Sequence, residues 1–254
     1  MTAPVRYICE EEVAQIVLSR PTRANAVDLA TARALGAAVD QAGRPEVRAV
    51  VVRGEGKRFC AGGDVAAMAS QPDRASYVEE LATTLDEVFQ RLAGLSKPVV
   101  AAVRGAVAGA GLALMLSCDV IVSAASTRFL LAYADVGLTP DCGVSYLLPR
   151  AIGQQRALEL ALTGRVLSAE EAREWGLVTE VVNEEFVDAR ALRLGQQLAS
   201  GPTQALGQAK RLLRAHQMTR EQIGKEEARV IAEMIQHADS SALIDSFAVS
   251  GNQA

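Results

Sequence analysis

Phe59-Cys60-Ala61-Gly62-Gly63-Asp64 and Ala108-Gly109-Ala110-Gly111 are the two stretches whose residue types and spacing suit chemistry on a carbonyl group. Each follows an apolar run and opens a helical one, so each reads as a strand-to-helix turn. Small residues in such a turn leave backbone N–H groups uncovered, and the helix behind adds partial positive charge. Two turns meeting at one point would stabilise a carbonyl oxygen that is becoming an oxyanion. The competing reading is ordinary turn chemistry, and for Asp64 it is preferred: this residue is expected to cap a helix over Val65 to Ala69. Asp141, in Pro140-Asp141-Cys142-Gly143, reads from its own neighbours as a helix cap after a proline turn. Glu79 and Glu80 suit a solvated helix face.

The elements that must position these groups alternate. Val13 to Leu18, Val47 to Val52, Pro98 to Val103 and Val120 to Val122 are β-branched runs of strand length. Helical patterns cover Asp28 to Gln41, with Asp28 as N-cap, and Tyr77 to Leu92. Nearly continuous apolar strands between helices imply an α/β architecture with both sheet faces covered. Beyond Pro149 the strand signal fades apart from Leu177 to Val182. Helix-forming segments follow over Glu184 to Ser200, Pro202 to Gln217 and Arg220 to His237. The expected organisation is a core over residues 1–190 and a helical region over 191–254.

The chain has 254 residues, half of them apolar, enough for one large core. A formal net charge of −4, with no concentrated basic face, excludes nucleic acid as the expected partner. Cys9, Cys60, Cys118 and Cys142 lack metal-type spacing and are expected to be buried, reduced thiols. His216 and His237 are expected on helix surfaces, and no metal site is expected. No run approaches the ~18 apolar residues of a membrane helix, and no signal peptide is expected. A soluble, cytoplasmic protein without a membrane partner is the expectation.

Over nearly its whole length the sequence resembles the crotonase (enoyl-CoA hydratase/isomerase) superfamily. The resemblance rests on the ordered set Arg20 to Ala26, Phe59 to Asp64, Lys97 to Gly105, Gly109 to Asp119, Gly137 to Asp141, Leu162 to Gly164 and Ala169 to Val178. It implies a spiral of ββα turns with a helical C-terminal trimerisation region, hence a homotrimer or a dimer of trimers. It implies an acyl-CoA thioester substrate, with coenzyme A part of the substrate and no separate cofactor.

Carried over by position, the oxyanion donors would be the Ala61 and Ala110 amides. Coenzyme A and substrate contacts would come from Arg23, Ala24, Ala26, Ala61, Gly62, Gly63, Asp64, Val65, Ala110 and Tyr133. The two glutamates of the family's hydratases fall at Ala113 and Tyr133. A methyl group moves no proton, and a tyrosine of ordinary pKa is a poor base at neutral pH. The loop Gly137 to Gly143 resembles that of members that isomerise double bonds, including epoxide isomerases of phenylacetyl-CoA catabolism, and this makes Asp141 the proton-transfer base. Asp135 is second choice; Glu79 and Glu80 are third. The same position holds the nucleophile of the dehalogenase branch, which also needs a histidine in the first half; here both lie in the tail. The expected activity is enoyl-CoA isomerisation. The alternatives are hydration of a 2-enoyl-CoA and a non-catalytic acyl-CoA-binding oligomer.

Overall fold

The computed structural model describes residues 3–215 and 217–251. Along the chain, β1 (Val5–Glu10) and β2 (Val13–Leu18) form a hairpin, followed by α1 (Leu29–Ala42), β3 (Ala49–Gly54), α2 (Val65–Ala69) and α3 (Arg74–Gly94). Next come β4 (Val99–Val103), β5 (Ala106–Ala108), α4 (Ala110–Leu116), β6 (Val120–Ala124), β7 (Arg128–Leu130), α5 (Val144–Ile152) and α6 (Gln154–Thr163). β8 (Leu167–Ser168), α7 (Ala169–Glu174), β9 (Glu180–Val182), α8 (Val187–Ala199), α9 (Thr203–Leu213), α10 (Arg220–Met234) and α11 (Ala238–Gly251) complete it.

One unit repeats. A strand enters a six-stranded sheet of order β1-β2-β3-β4-β6-β9, parallel beyond the first hairpin. The chain then crosses to a second sheet of order β5-β7-β8, and a helix closes the turn. The unit β4-β5-α4 is complete. β3 is followed by Cys60, bridged to Val107 of β5, and then by helix; β6 is followed by β7 and α5. This is a ββα spiral.

The strand periodicity explains the layers. In β3, Val50 and Val52 join the core beneath α1, α3 and α4, whereas Ala49 and Val51 face Val187, Ala191 and Ala199 around α8. Alternate side chains point to opposite faces, so burial of both faces requires the unbroken apolar run. Asp28 caps α1 as expected, its side chain accepting from the Thr31 amide at 2.8 Å.

Several expectations shift. β3 starts at Ala49 because the Val47 amide is taken by Arg44 O in a turn. β9 shortens to Glu180–Val182 because the Leu177 and Val178 amides both turn back to Ala172 O. Cys9 is exposed, not buried, since β1 is an edge strand; the other three cysteines are buried, and all four are free thiols. His237 is exposed at a bend between α10 and α11 rather than on a helix, and His216 lies outside the described residues. Among the described residues, no helix is long and apolar enough to cross a membrane.

Candidate active site

The first turn is held by the loop before α1. Arg20 Nη2 lies 2.9 Å from Asp64 Oδ2 and 3.0 Å from Asp28 Oδ2. Buried Asn25 accepts from the Arg20 amide at 2.8 Å and donates to Glu55 O and Arg58 O at 3.0 and 2.7 Å. Ala24 and Asn25 are both left-handed (φ 53° and 54°), which turns the Ala24 carbonyl toward the Phe59–Asp64 segment. The Ala61 amide donates to that carbonyl at 3.1 Å, Val27 to Gly62 O at 2.8 Å, and Asp64 to Val27 O at 2.9 Å.

These bonds correct one expected site residue. The Ala61 N–H is occupied within the fold and is not free to hold a substrate oxygen. Neither the Gly62 nor the Gly63 amide has an acceptor among the described residues; Gly62 is buried and Gly63 half-buried. Asp64 behaves as the preferred reading has it. Its Oδ1 accepts from Ala67 N at 3.1 Å, capping α2, while Arg20 holds Oδ2.

The second turn lies directly against the first. Ala108 N donates to Cys60 O at 3.2 Å. A Cβ on Gly62 would lie 3.0 Å from Ala108 O, and one on Gly109 would lie 3.6 Å from Gly62 Cα. Gly111 packs so closely that a Cβ there would meet Cys60 O at 2.3 Å. Ala110 is the first residue of α4, and its amide has no acceptor among the described residues. Gly63, the less buried of the two unbonded glycines, and Ala110 therefore present free amides on adjoining turns. Ala113, at the first glutamate position, is wholly buried in α4.

Tyr133 and Asp141 come together here. The Tyr133 hydroxyl donates to Asp141 Oδ1 at 2.8 Å, and the ring Cζ lies 3.9 Å from where a Cβ on Gly109 would be. Asp141 does not cap α5: the preceding residue is Gly143, with no side-chain cap, and Asp141 contributes only its backbone carbonyl to Val144 N at 3.1 Å. The carboxylate is half-buried and aimed at the tyrosine instead. Burial, and then the Asp141 charge, push the Tyr133 phenol well above its ordinary pKa, so it stays protonated. Burial likewise pushes the Cys60 thiol up to about 11 and raises that of Cys142, which keeps both sulfurs protonated at neutral pH.

The other candidates lie apart. Asp135 is exposed in a short 3-10 turn, Glu79 is exposed, and Glu80 pairs with Arg33 at 2.8 Å. Arg23 is exposed, with no ion pair among the described residues. Ala26 O accepts from Arg20 Nη1, and Val65 is half-exposed. A depression of about 410 Å³ between α5 and α6 is lined by Leu131, Pro140, Val144 and Leu148; neither Tyr133 nor Asp141 lines it. No group of three or more His, Cys, Asp or Glu among the described residues could hold a metal. Sequence reasoning missed the free Gly63 amide and the Tyr133–Asp141 bond. The run Ala61-Gly62-Gly63 signals an exposed amide without saying which of the three it is.

The sequence profile of the enoyl-CoA hydratase/isomerase family matches residues 9–252. The chain is 39% identical over 210 residues to a 1,2-epoxyphenylacetyl-CoA isomerase of Escherichia coli, covering 80% of this chain and 79% of the relative. It is 36% identical over 204 residues to a 4-chlorobenzoyl coenzyme A dehalogenase of an Arthrobacter species, covering 78% and 73%. Among solved structures, an enoyl-CoA hydratase from Polaromonas superposes with a TM-score of 0.91 at 32% identity, covering 97% of each chain. Sequence, fold and the paired turns agree: the chain belongs to the crotonase superfamily, the enoyl-CoA hydratase/isomerase family.

Proposed function

We propose that this protein moves a double bond along the acyl chain of an enoyl-CoA. The thioester oxygen is held by the Gly63 and Ala110 amides, and Asp141 carries the proton. With a 3-enoyl thioester, Asp141 takes a proton from C2, and the C–H pair delocalises into a dienolate whose charge rests on the oxygen. Asp141 then returns the proton at C4, leaving the double bond between C2 and C3. One carboxylate suffices, because the acid formed in the first half is consumed in the second. Removing one oxyanion donor typically costs about 3–4 kcal/mol of barrier, so two free amides on adjoining turns matter.

The observation that carries this reading is the direction of the Asp141 side chain. It leaves its own helix uncapped and points to Tyr133, beside the second turn. Hydration is the second reading; it would use Asp141 with Asp135 as its partner, but Asp135 is exposed in a separate 3-10 turn and Ala113, at the first glutamate position, carries no acid–base group. Exposed Arg23 would meet a coenzyme A phosphate. The assembly would be a homotrimer or dimer of trimers built through the C-terminal helices, whose Leu213, Ile231, Ile235 and Phe247 are exposed.

The test is turnover of a 3-enoyl-CoA to the 2-enoyl-CoA, followed by absorbance. Asp141→Asn is expected to lower kcat by about 10²–10⁴-fold with KM little changed. An unchanged rate removes Asp141 from the mechanism. Faster water addition to crotonyl-CoA than isomerisation would favour the hydratase reading.

A further inference from the structure

Asp141 Oδ1 accepts from the Tyr133 hydroxyl at 2.8 Å, and the adjoining Cys142 thiol also interacts with the carboxylate. Tyr133 and Asp141 each adjoin a residue in the left-handed region. Ala132, just before Tyr133, and Cys142, just after Asp141, are left-handed with φ of 57° and 49°. Non-glycine residues adopt that region at a cost, and the surrounding structure must hold them there. The same phenol ring lies against the second turn, where its Cζ approaches the site of a Gly109 Cβ, one residue from the Ala110 amide. One phenol thus meets the carboxylate through its hydroxyl and the second turn through its ring.

We propose that Tyr133 is a positioning residue, its phenol holding Asp141 Oδ1 so that Oδ2 alone faces the acyl carbons and carries the proton. The inference rests on the proton-transfer role proposed for Asp141. A carboxylate that removes a proton at one carbon and delivers it at another must keep one oxygen over both. A free aspartate would swing about its side-chain torsions and exchange its two oxygens. The phenol suits this task because it donates without giving up its own proton. Burial and the neighbouring Asp141 charge, with Cys142 adding to them, keep it protonated. Glutamate at this position would instead place a second negative charge beside Asp141 and push one of the two to protonate. Tyrosine in place of the family glutamate is then the partner that a single-carboxylate site requires.

The test is a double-mutant cycle on a 3-enoyl-CoA. Asp141→Asn alone tests the underlying reading. Tyr133→Phe, which removes only the hydroxyl, is expected to lower kcat by on the order of 10–100-fold with KM changed less than about threefold. In the Asp141→Asn background, the same change is expected to lower kcat no further, because Tyr133 acts only through Asp141. If Asp141→Asn is inactive while Tyr133→Phe is unchanged, or costs the same in both backgrounds, the positioning role is overturned and the Asp141 reading stands. If Asp141→Asn is unchanged, both fall. A second measurement needs no turnover. The difference in ultraviolet absorbance between wild type and Tyr133→Phe across alkaline pH isolates this phenol from the other three tyrosines. Its ionisation is expected above that of a free tyrosine and to move down in Asp141→Asn. Ordinary ionisation, indifferent to Asp141, would overturn the pairing.

Discussion

At the scale of single residues, the site depends on which polar atoms are left over once the fold has taken its share. Ala61 and Gly63 are two residues apart in one turn, yet the Ala61 amide is taken by Ala24 O and the Gly63 amide has no acceptor among the described residues. Asp64 and Asp141 both sit at the start of helical segments. Asp64 caps its helix and binds Arg20; Asp141 reaches Tyr133 instead. Arg23 belongs to the same class of leftover groups, a guanidinium in solvent with no ion pair among the described residues. Its attraction for a phosphate in water is modest and screened by salt. Arg23→Ala is therefore expected to raise KM for an acyl-CoA by about two- to fivefold at low salt, with kcat unchanged. The difference should shrink as salt is added, and steady-state kinetics at two ionic strengths check this.

At the scale of elements, the spiral brings two strand-to-helix turns side by side because consecutive units each send a segment to the second sheet. Cys60 bridges Val107, and α4 begins immediately after β5. That closeness demands glycine at residue 111, where an added Cβ would meet Cys60 O at 2.3 Å and Cys60 Cβ at 2.8 Å. Backbone cannot move aside as a flexible side-chain end would. Gly111→Ala is expected to destabilise the protein by about 1–3 kcal/mol through overpacking. It should also lower kcat by about 10²–10³-fold by displacing the Ala110 amide. Urea unfolding and isomerase turnover on the same variant separate the two effects. Gly94, at the end of α3, is the control: a Cβ there meets nothing within 4 Å. Gly94→Ala should leave both measurements nearly unchanged.

At the scale of the whole molecule, burial is uneven. β3 and β4 are almost wholly covered, whereas α10 buries only Val230 and α11 exposes Leu243, Ile244 and Phe247. Helices that leave so much apolar surface in water are stabilised by covering it with a partner surface, and a second and third copy of the chain are the proposed partners. Phe247, 81% exposed, is the largest of these side chains. Phe247→Glu places a charge in that contact and is expected to shift the protein toward single 26.8 kDa chains in sedimentation velocity, while the wild type sediments as a trimer or hexamer. Wild type that sediments as a single chain would remove the assembly proposal.

The alternation of strands and helices, the burial of the sheet on both faces, the cap at Asp28 and the presence of two small-residue turns are all legible from the residues alone. Each is written in local propensity and periodicity, which act over a few neighbouring residues. Short edge elements escape that reading: β1 carries Arg6 and Glu10, and β5, β7 and β8 are only two or three residues long. That the Ala61 amide is the one taken in Ala61-Gly62-Gly63 depends on the folded chain, because its acceptor, Ala24 O, comes from a distant loop turned by two left-handed residues. Tertiary structure also decided that Asp141 meets Tyr133 rather than capping its own helix. A hydrogen bond goes to whichever partner the folded backbone brings within about 3 Å, and that choice depends on segments far apart in the chain.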